Sequence, residues 1–102
     1  MKYKVKIPPS ELDLIIVQDY YFIQFDVKTA TKVSNSILNT IERLEEFPDS
    51  GSLTPDTWLN EQGYRMIISK KHVAIYRRIE DTIYIYHIAD TQTEYTKLFY
   101  QE

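Results

Sequence analysis

The chain has 102 residues, 12 basic and 15 acidic, for a net charge of −3, and it contains no cysteine. That length supports a single domain, residues 1–102, whose one core can form without staples. The lack of cysteine excludes disulfides and thiolate metal sites, and the acidic balance argues against non-specific coating of nucleic acid, which rests on many Lys and Arg contacts to phosphate.

Lys2 to Ile7 alternates Tyr3, Val5 and Ile7 with Lys2, Lys4 and Lys6. That pattern predicts a half-buried strand with lysines on an edge, ended by Pro8-Pro9. It is not a signal peptide, because it has no apolar h-region. Ser10 with Asp13 three residues on predicts a capping box and a first helix. Leu12, Ile15, Ile16, Tyr20 and Ile23 recur at helical spacing and predict its core face, widened by Phe22 and Phe25. Asp26 is placed to end this helix and cap the next.

The second helix is patterned by Ala30, Val33, Ile37, Ile41 and Leu44, with Phe47 extending the stripe and Pro48 as its stop. The two helices are expected to form an antiparallel hairpin. A long polar loop runs from Pro48 to Gly63, with Trp58 and Leu59 as its apolar anchors and Trp58 expected to pack on the core.

Three strands follow, over about 64–70, 72–79 and 82–89, separated by Lys70-Lys71 and Glu80-Asp81. Val73, Ile75, Arg77 and Ile79 share one face of the middle strand; Ala74, Tyr76 and Arg78 share the other. In the last strand, Ile83, Ile85, His87 and Ala89 are expected to oppose Tyr84, Tyr86 and Ile88. A short helix over 91–100 closes the chain, carrying Tyr95, Leu98 and Phe99 on one side. The fold class is therefore α+β, with the order β-α-α-β-β-β, a helical hairpin packed on a mainly antiparallel four-stranded sheet, and a short C-terminal helix. From Tyr64 through Ile79 there are five basic residues and no acidic one, so the sheet is expected to carry a cationic surface that meets a partner.

This order resembles the RelE/ParE toxins of type II toxin–antitoxin modules. The pieces that carry the resemblance are Leu44-Glu45-Glu46-Phe47-Pro48-Asp49-Ser50-Gly51, Arg65, Ala74-Ile75-Tyr76-Arg77, the run Ile83 to Ile88, and Thr93-Glu94-Tyr95. The resemblance implies a small cytoplasmic toxin. It also implies a cognate antitoxin partner whose disordered tail folds around it, giving a hetero-oligomer. One branch of the family cuts messenger RNA on the ribosome; another inhibits DNA gyrase without being a nuclease. The ribonuclease branch often has Arg where this chain has Val73, and Lys-Arg where this chain has Thr91-Gln92.

RNA cleavage by a 2′-hydroxyl needs a base, an acid and a cation for the phosphorane. His87 is the best acid–base candidate. Arg65 and Arg77 would complete a metal-independent endoribonuclease set. Lys70, Lys71 and Arg78 would contact the target, and Tyr76 and Tyr95 would stack on it. Two histidines without an acidic partner at ligand spacing make a poor metal site, and no cofactor or membrane contact is expected. The structural alternatives are a core His87, an Arg65 paired with Glu42 or Glu45, and a solvated Lys70-Lys71 tip. Three functions follow: a ribosome-dependent mRNA interferase, a non-catalytic gyrase inhibitor, or an inactive domain that binds only its antitoxin.

Overall fold

The computed structural model describes residues 2–92; the expected C-terminal helix and Tyr95 lie outside them. The described elements are β1 (Lys4–Lys6), α1 (Glu11–Gln24), α2 (Val27–Glu42), α3 (Thr57–Glu61), β2 (Tyr64–Ser69), β3 (His72–Ile79) and β4 (Thr82–Asp90). The sheet order is β1-β4-β3-β2. β1 runs parallel to β4, and the other two pairings are antiparallel. The α+β architecture is as expected, with the parallel edge strand making the sheet mixed.

α2 forms as its pattern dictates. Asp26 accepts the Thr29 N–H at 2.7 Å and so caps the helix. Ala30, Ser34, Ile37 and Ile41 then fall on one buried stripe. A 3₁₀ turn over Arg43–Glu45 tightens the end and buries Leu44. Ile37, Ile41 and Leu44 meet Ala74, Tyr76, Ile83, Ile85 and Ile88 from the sheet in one core cluster.

α1 departs from expectation at both its start and its face. Ser10 makes no capping bond; its hydroxyl donates to the Ile7 carbonyl at 3.0 Å, at the end of a 3₁₀ turn over Pro8–Ser10. Asp13 is therefore free of the box and reaches the sheet. Leu14 and Val17 pack on the core cluster, and Gln18 bonds the Ser34 hydroxyl of α2 at 2.9 Å. Leu12, Ile15, Ile16, Tyr20, Phe22 and Ile23 all face outward. The helix is apolar around most of its circumference, and α2 and the sheet together can cover only one stripe.

β4 also differs in its alternation. Ile75 pairs with His87 and Tyr76 with Ile85, so Tyr86 is an extra residue opposite no partner. This bulge shifts the side-chain parity beyond it. Ile88 joins Ile83 and Ile85 in the core, where a strict period of two predicted the opposite face. The two hairpin turns hold Lys70 and Glu80 in the left-handed region, each at φ 57°. Glycine or asparagine is the usual occupant of such positions.

The long loop is organised rather than extended. Asp56 accepts the Leu59 N–H at 3.1 Å and starts α3. Asn60 closes on Thr54 through bonds of 2.7 and 2.9 Å. Leu59 is the anchor, at 0% exposure, while Trp58 remains 48% exposed and does not serve as the expected core lid.

One tyrosine ties this loop to the core. The Tyr76 ring is 1% exposed. Its hydroxyl donates to the Pro48 carbonyl at 3.0 Å and accepts the Gly51 N–H at 3.1 Å. Burial raises the pKa of this phenol, so it stays a donor through the neutral range. A Cβ at Gly51 would collide with that hydroxyl and approach the Met66 carbonyl to 2.6 Å, so glycine is required there by close packing. Tyr76→Phe removes the hydroxyl that serves both the half-buried Pro48 carbonyl and the half-buried Gly51 N–H. It is expected to lower the unfolding free energy by about 1–3 kcal/mol in a denaturant titration.

Candidate partner-binding surface

Strand alternation divides the basic residues between two faces. Arg65 lies opposite Tyr76 in the ladder, on the side that carries the helices. No ion pair joins it to Glu42 or Glu45 among the described residues. Arg78 shares that side. It lies over the Tyr3 ring at 5.1 Å, donates to the Tyr3 hydroxyl at 3.3 Å and sits 3.9 Å from the Asp49 carboxylate.

Arg77 points to the other side. Its guanidinium lies 4.9 Å from the Tyr64 ring and 5.5 Å from the Tyr86 ring, and it donates to the Tyr86 hydroxyl at 3.2 Å. Its Nε is buried with no acceptor. Aromatic faces are a good setting for a guanidinium, because their quadrupole attracts the cation and the plane stacks.

His87 turns toward α1. Its Nδ1 is 3.0 Å from Asp13 Oδ2, and the same oxygen accepts the Ile88 N–H at 3.1 Å. The reason is local. β1 covers only Thr82, Ile83 and Tyr84 of β4. Beyond them that edge needs another acceptor, and the Asp13 carboxylate supplies one. His87 is therefore half-buried against a helix carboxylate, neither sealed in the core nor beside Arg65.

The expected catalytic set thus occupies three places: His87 against α1, Arg65 beside Tyr76, and Arg77 between tyrosines on the far face. Lys70 and Lys71 form an exposed hairpin tip. The stacking role expected of Tyr76 is corrected, because a ring at 1% exposure has no face to offer a base.

The sequence reading missed the outward face of α1. Leu12, Ile15, Ile16, Tyr20, Phe22 and Ile23 are exposed there, and Phe25 and Val27 continue the patch around the hairpin. Ile23 is 73% exposed. Large contiguous apolar surface of this kind marks an interaction site. Beside it runs a cleft of about 740 Å³ between α1 and the end of β4, walled by Ile16, Tyr20, Phe25, Ile88 and Asp90. The usable signal was the count of apolar side chains in α1, too many for one buried stripe.

Residues 8–95 match the family model for the ParE toxin of type II toxin–antitoxin systems, parDE. The chain belongs to the ParE toxin family. A solved structure of the chromosomal ParDE toxin–antitoxin system from P. aeruginosa superposes with a TM-score of 0.75 at 19% identity, covering 89% of this chain and 98% of that one. No curated protein sequence matches the chain.

A type II toxin–antitoxin system supplies a toxin of this family with an antitoxin as its partner. No helix among the described residues is long and apolar enough to cross a membrane. His72 forms the inner wall of the cleft, 5.8 Å from the Tyr21 ring. Burial pushes the His72 imidazole below its ordinary range, Asp90 opposes that shift, and Lys71 adds to it. The unfolded chain takes up a proton near pH 6.5 that the folded ring resists. The contribution to stability is therefore intact above that pH and declines as the pH falls toward the lower folded value. Acidification from about pH 7.5 to about pH 5.5 is expected to lower the Tm of the wild type more than that of His72→Gln, as read by thermal melts across the range.

Proposed function

We propose that this ParE-family chain arrests growth by binding its target rather than by cutting RNA, that the target is DNA gyrase, and that an antitoxin silences it by covering the outer face of α1. The observation that carries the non-catalytic reading is the dispersal of His87, Arg65 and Arg77. Phosphoryl chemistry needs an acid, a base and a cation within reach of one phosphate, and their mutual geometry comes before their pKa values. Here Arg77 and Arg65 leave opposite faces of the sheet, and His87 is engaged with Asp13. Val73 and Thr91-Gln92 stand where the ribonuclease branch often carries basic groups. The ParE family match favours the gyrase branch.

The test uses a double variant, His87→Ala with Arg65→Ala, with folding verified by its melting transition. It is expected to keep growth arrest, to produce no new RNA ends on induction, and to inhibit supercoiling by purified gyrase about as well as the wild type. Loss of arrest together with loss of RNA cuts made by the wild type would overturn the proposal.

The antitoxin surface has its own test. Ile16→Glu with Ile23→Glu replaces two exposed side chains and leaves the core untouched. Truncation or charge at buried interface anchors commonly costs 2 kcal/mol or more. The affinity for the antitoxin, measured by calorimetry, is expected to fall roughly 30-fold or more. An unchanged affinity places the antitoxin elsewhere.

A further inference from the structure

β2 is an outer strand of the sheet. Its free edge is only half closed. Met66 donates to the Ser52 carbonyl at 2.9 Å and accepts the Ser52 N–H at 2.8 Å, a single antiparallel bridge. Continued pairing would set Ser50 opposite Ile68. It does not occur, because the Tyr76 hydroxyl draws Pro48 and Gly51 toward the core and Ser50 N–H turns back to the Phe47 carbonyl at 3.1 Å. Backbone groups alternate in direction along a strand, so Ile68 presents its N–H and C=O on the same edge as Met66. No described residue bonds them.

A groove of about 520 Å³ runs along this open stretch. Ile68 forms one wall at 52% exposure, and Phe47 and Arg43 form the other. Among the described residues Arg43 is the only charged one lining it, and its guanidinium makes a single hydrogen bond, a 3.3 Å contact to the Thr40 hydroxyl. The groove therefore offers one unpaired backbone donor and acceptor, two apolar side chains and a cation with donors to spare.

We propose that an extended acidic segment of the antitoxin adds to the sheet at Ile68 as a fifth strand, with a carboxylate paired to Arg43. This rests on the reading of the chain as a toxin held by an antitoxin, and it places one part of that partner. Main-chain bonds to a sheet edge supply affinity in such additions, and side-chain pockets supply register. A carboxylate suits Arg43 because the guanidinium fork matches it in two bonds. A second copy of the chain fits poorly. Two-fold pairing about Ile68 would set the other copy's Lys70 opposite Met66, a place Ser52 already holds.

The test uses the full toxin with its co-expressed antitoxin. In the complex, the Ile68 amide is expected to exchange with solvent at least about 100-fold more slowly than in the free toxin, as read by NMR. Unchanged exchange at Ile68 overturns the proposal. Ile68→Pro removes the outward N–H without touching the ladder to β3, and proline is tolerated on such an edge. It is expected to weaken antitoxin binding about 10- to 100-fold while keeping a native melt. Arg43→Glu is expected to weaken it comparably. Wild-type affinity in both variants sinks the strand addition while leaving the antitoxin reading intact. If the wild type itself fails to bind the antitoxin, that broader reading falls and the strand addition falls with it.

Discussion

The Tyr76 hydroxyl is the constraint on which the working surfaces depend. It lies in the core, yet both of its bonds go to the loop that follows the helical hairpin. A buried phenol with two backbone partners is far more stable there than one with none. The loop is thereby held against the sheet at Gly51, where no larger residue fits. The same tether decides how far the loop can run along β2. One bridge forms at Ser52, and the chain then leaves the edge. The open groove beside Ile68 is a consequence of how the core tyrosine is satisfied.

A second constraint is the pleat. Neighbouring residues on a strand leave opposite faces, so Arg77 and Arg78 cannot serve one site from one strand. Arg77 is drawn into a tyrosine pocket on the far side, and Arg78 packs on Tyr3 beside Asp49. The bulge at Tyr86 then breaks the alternation of β4 and brings Ile88 into the core. His87 is left at the uncovered edge, where the Asp13 carboxylate bonds both its ring and the next backbone N–H. A run of five cations in the sequence thus becomes several separate environments in the fold.

The helical hairpin shows a different imbalance. α2 has apolar residues for one stripe and buries them. α1 has apolar residues for nearly its whole circumference, and only Leu14 and Val17 reach the core cluster. Exposed surface of that size is a liability for a free chain and an asset for one that functions with a partner. Membership of the ParE toxin family supplies the chain with an antitoxin partner, and the proposed function assigns that partner to this surface.

The sequence by itself determined the order of the four strands and the helical hairpin, the Asp26 cap, the α2 stripe and the three-strand run, because these rest on local periodicity and capping chemistry; α3, inside the stretch read as a loop, it did not show. It also carried the family, through the order and spacing of segments from Leu44 to Tyr95. It misassigned the outward face of α1, because an all-round apolar helix has no periodicity to show which stripe the sheet will cover. It misplaced Ile88, because a one-residue bulge leaves no mark in composition. Only the tertiary structure decided that Tyr76 is a buried pin, that Asp13 serves β4 instead of the helix start, and that the arginines part company. Each of those outcomes depends on which backbone groups lack partners once the sheet has formed, and that is a property of the assembled layers rather than of any local run of residues.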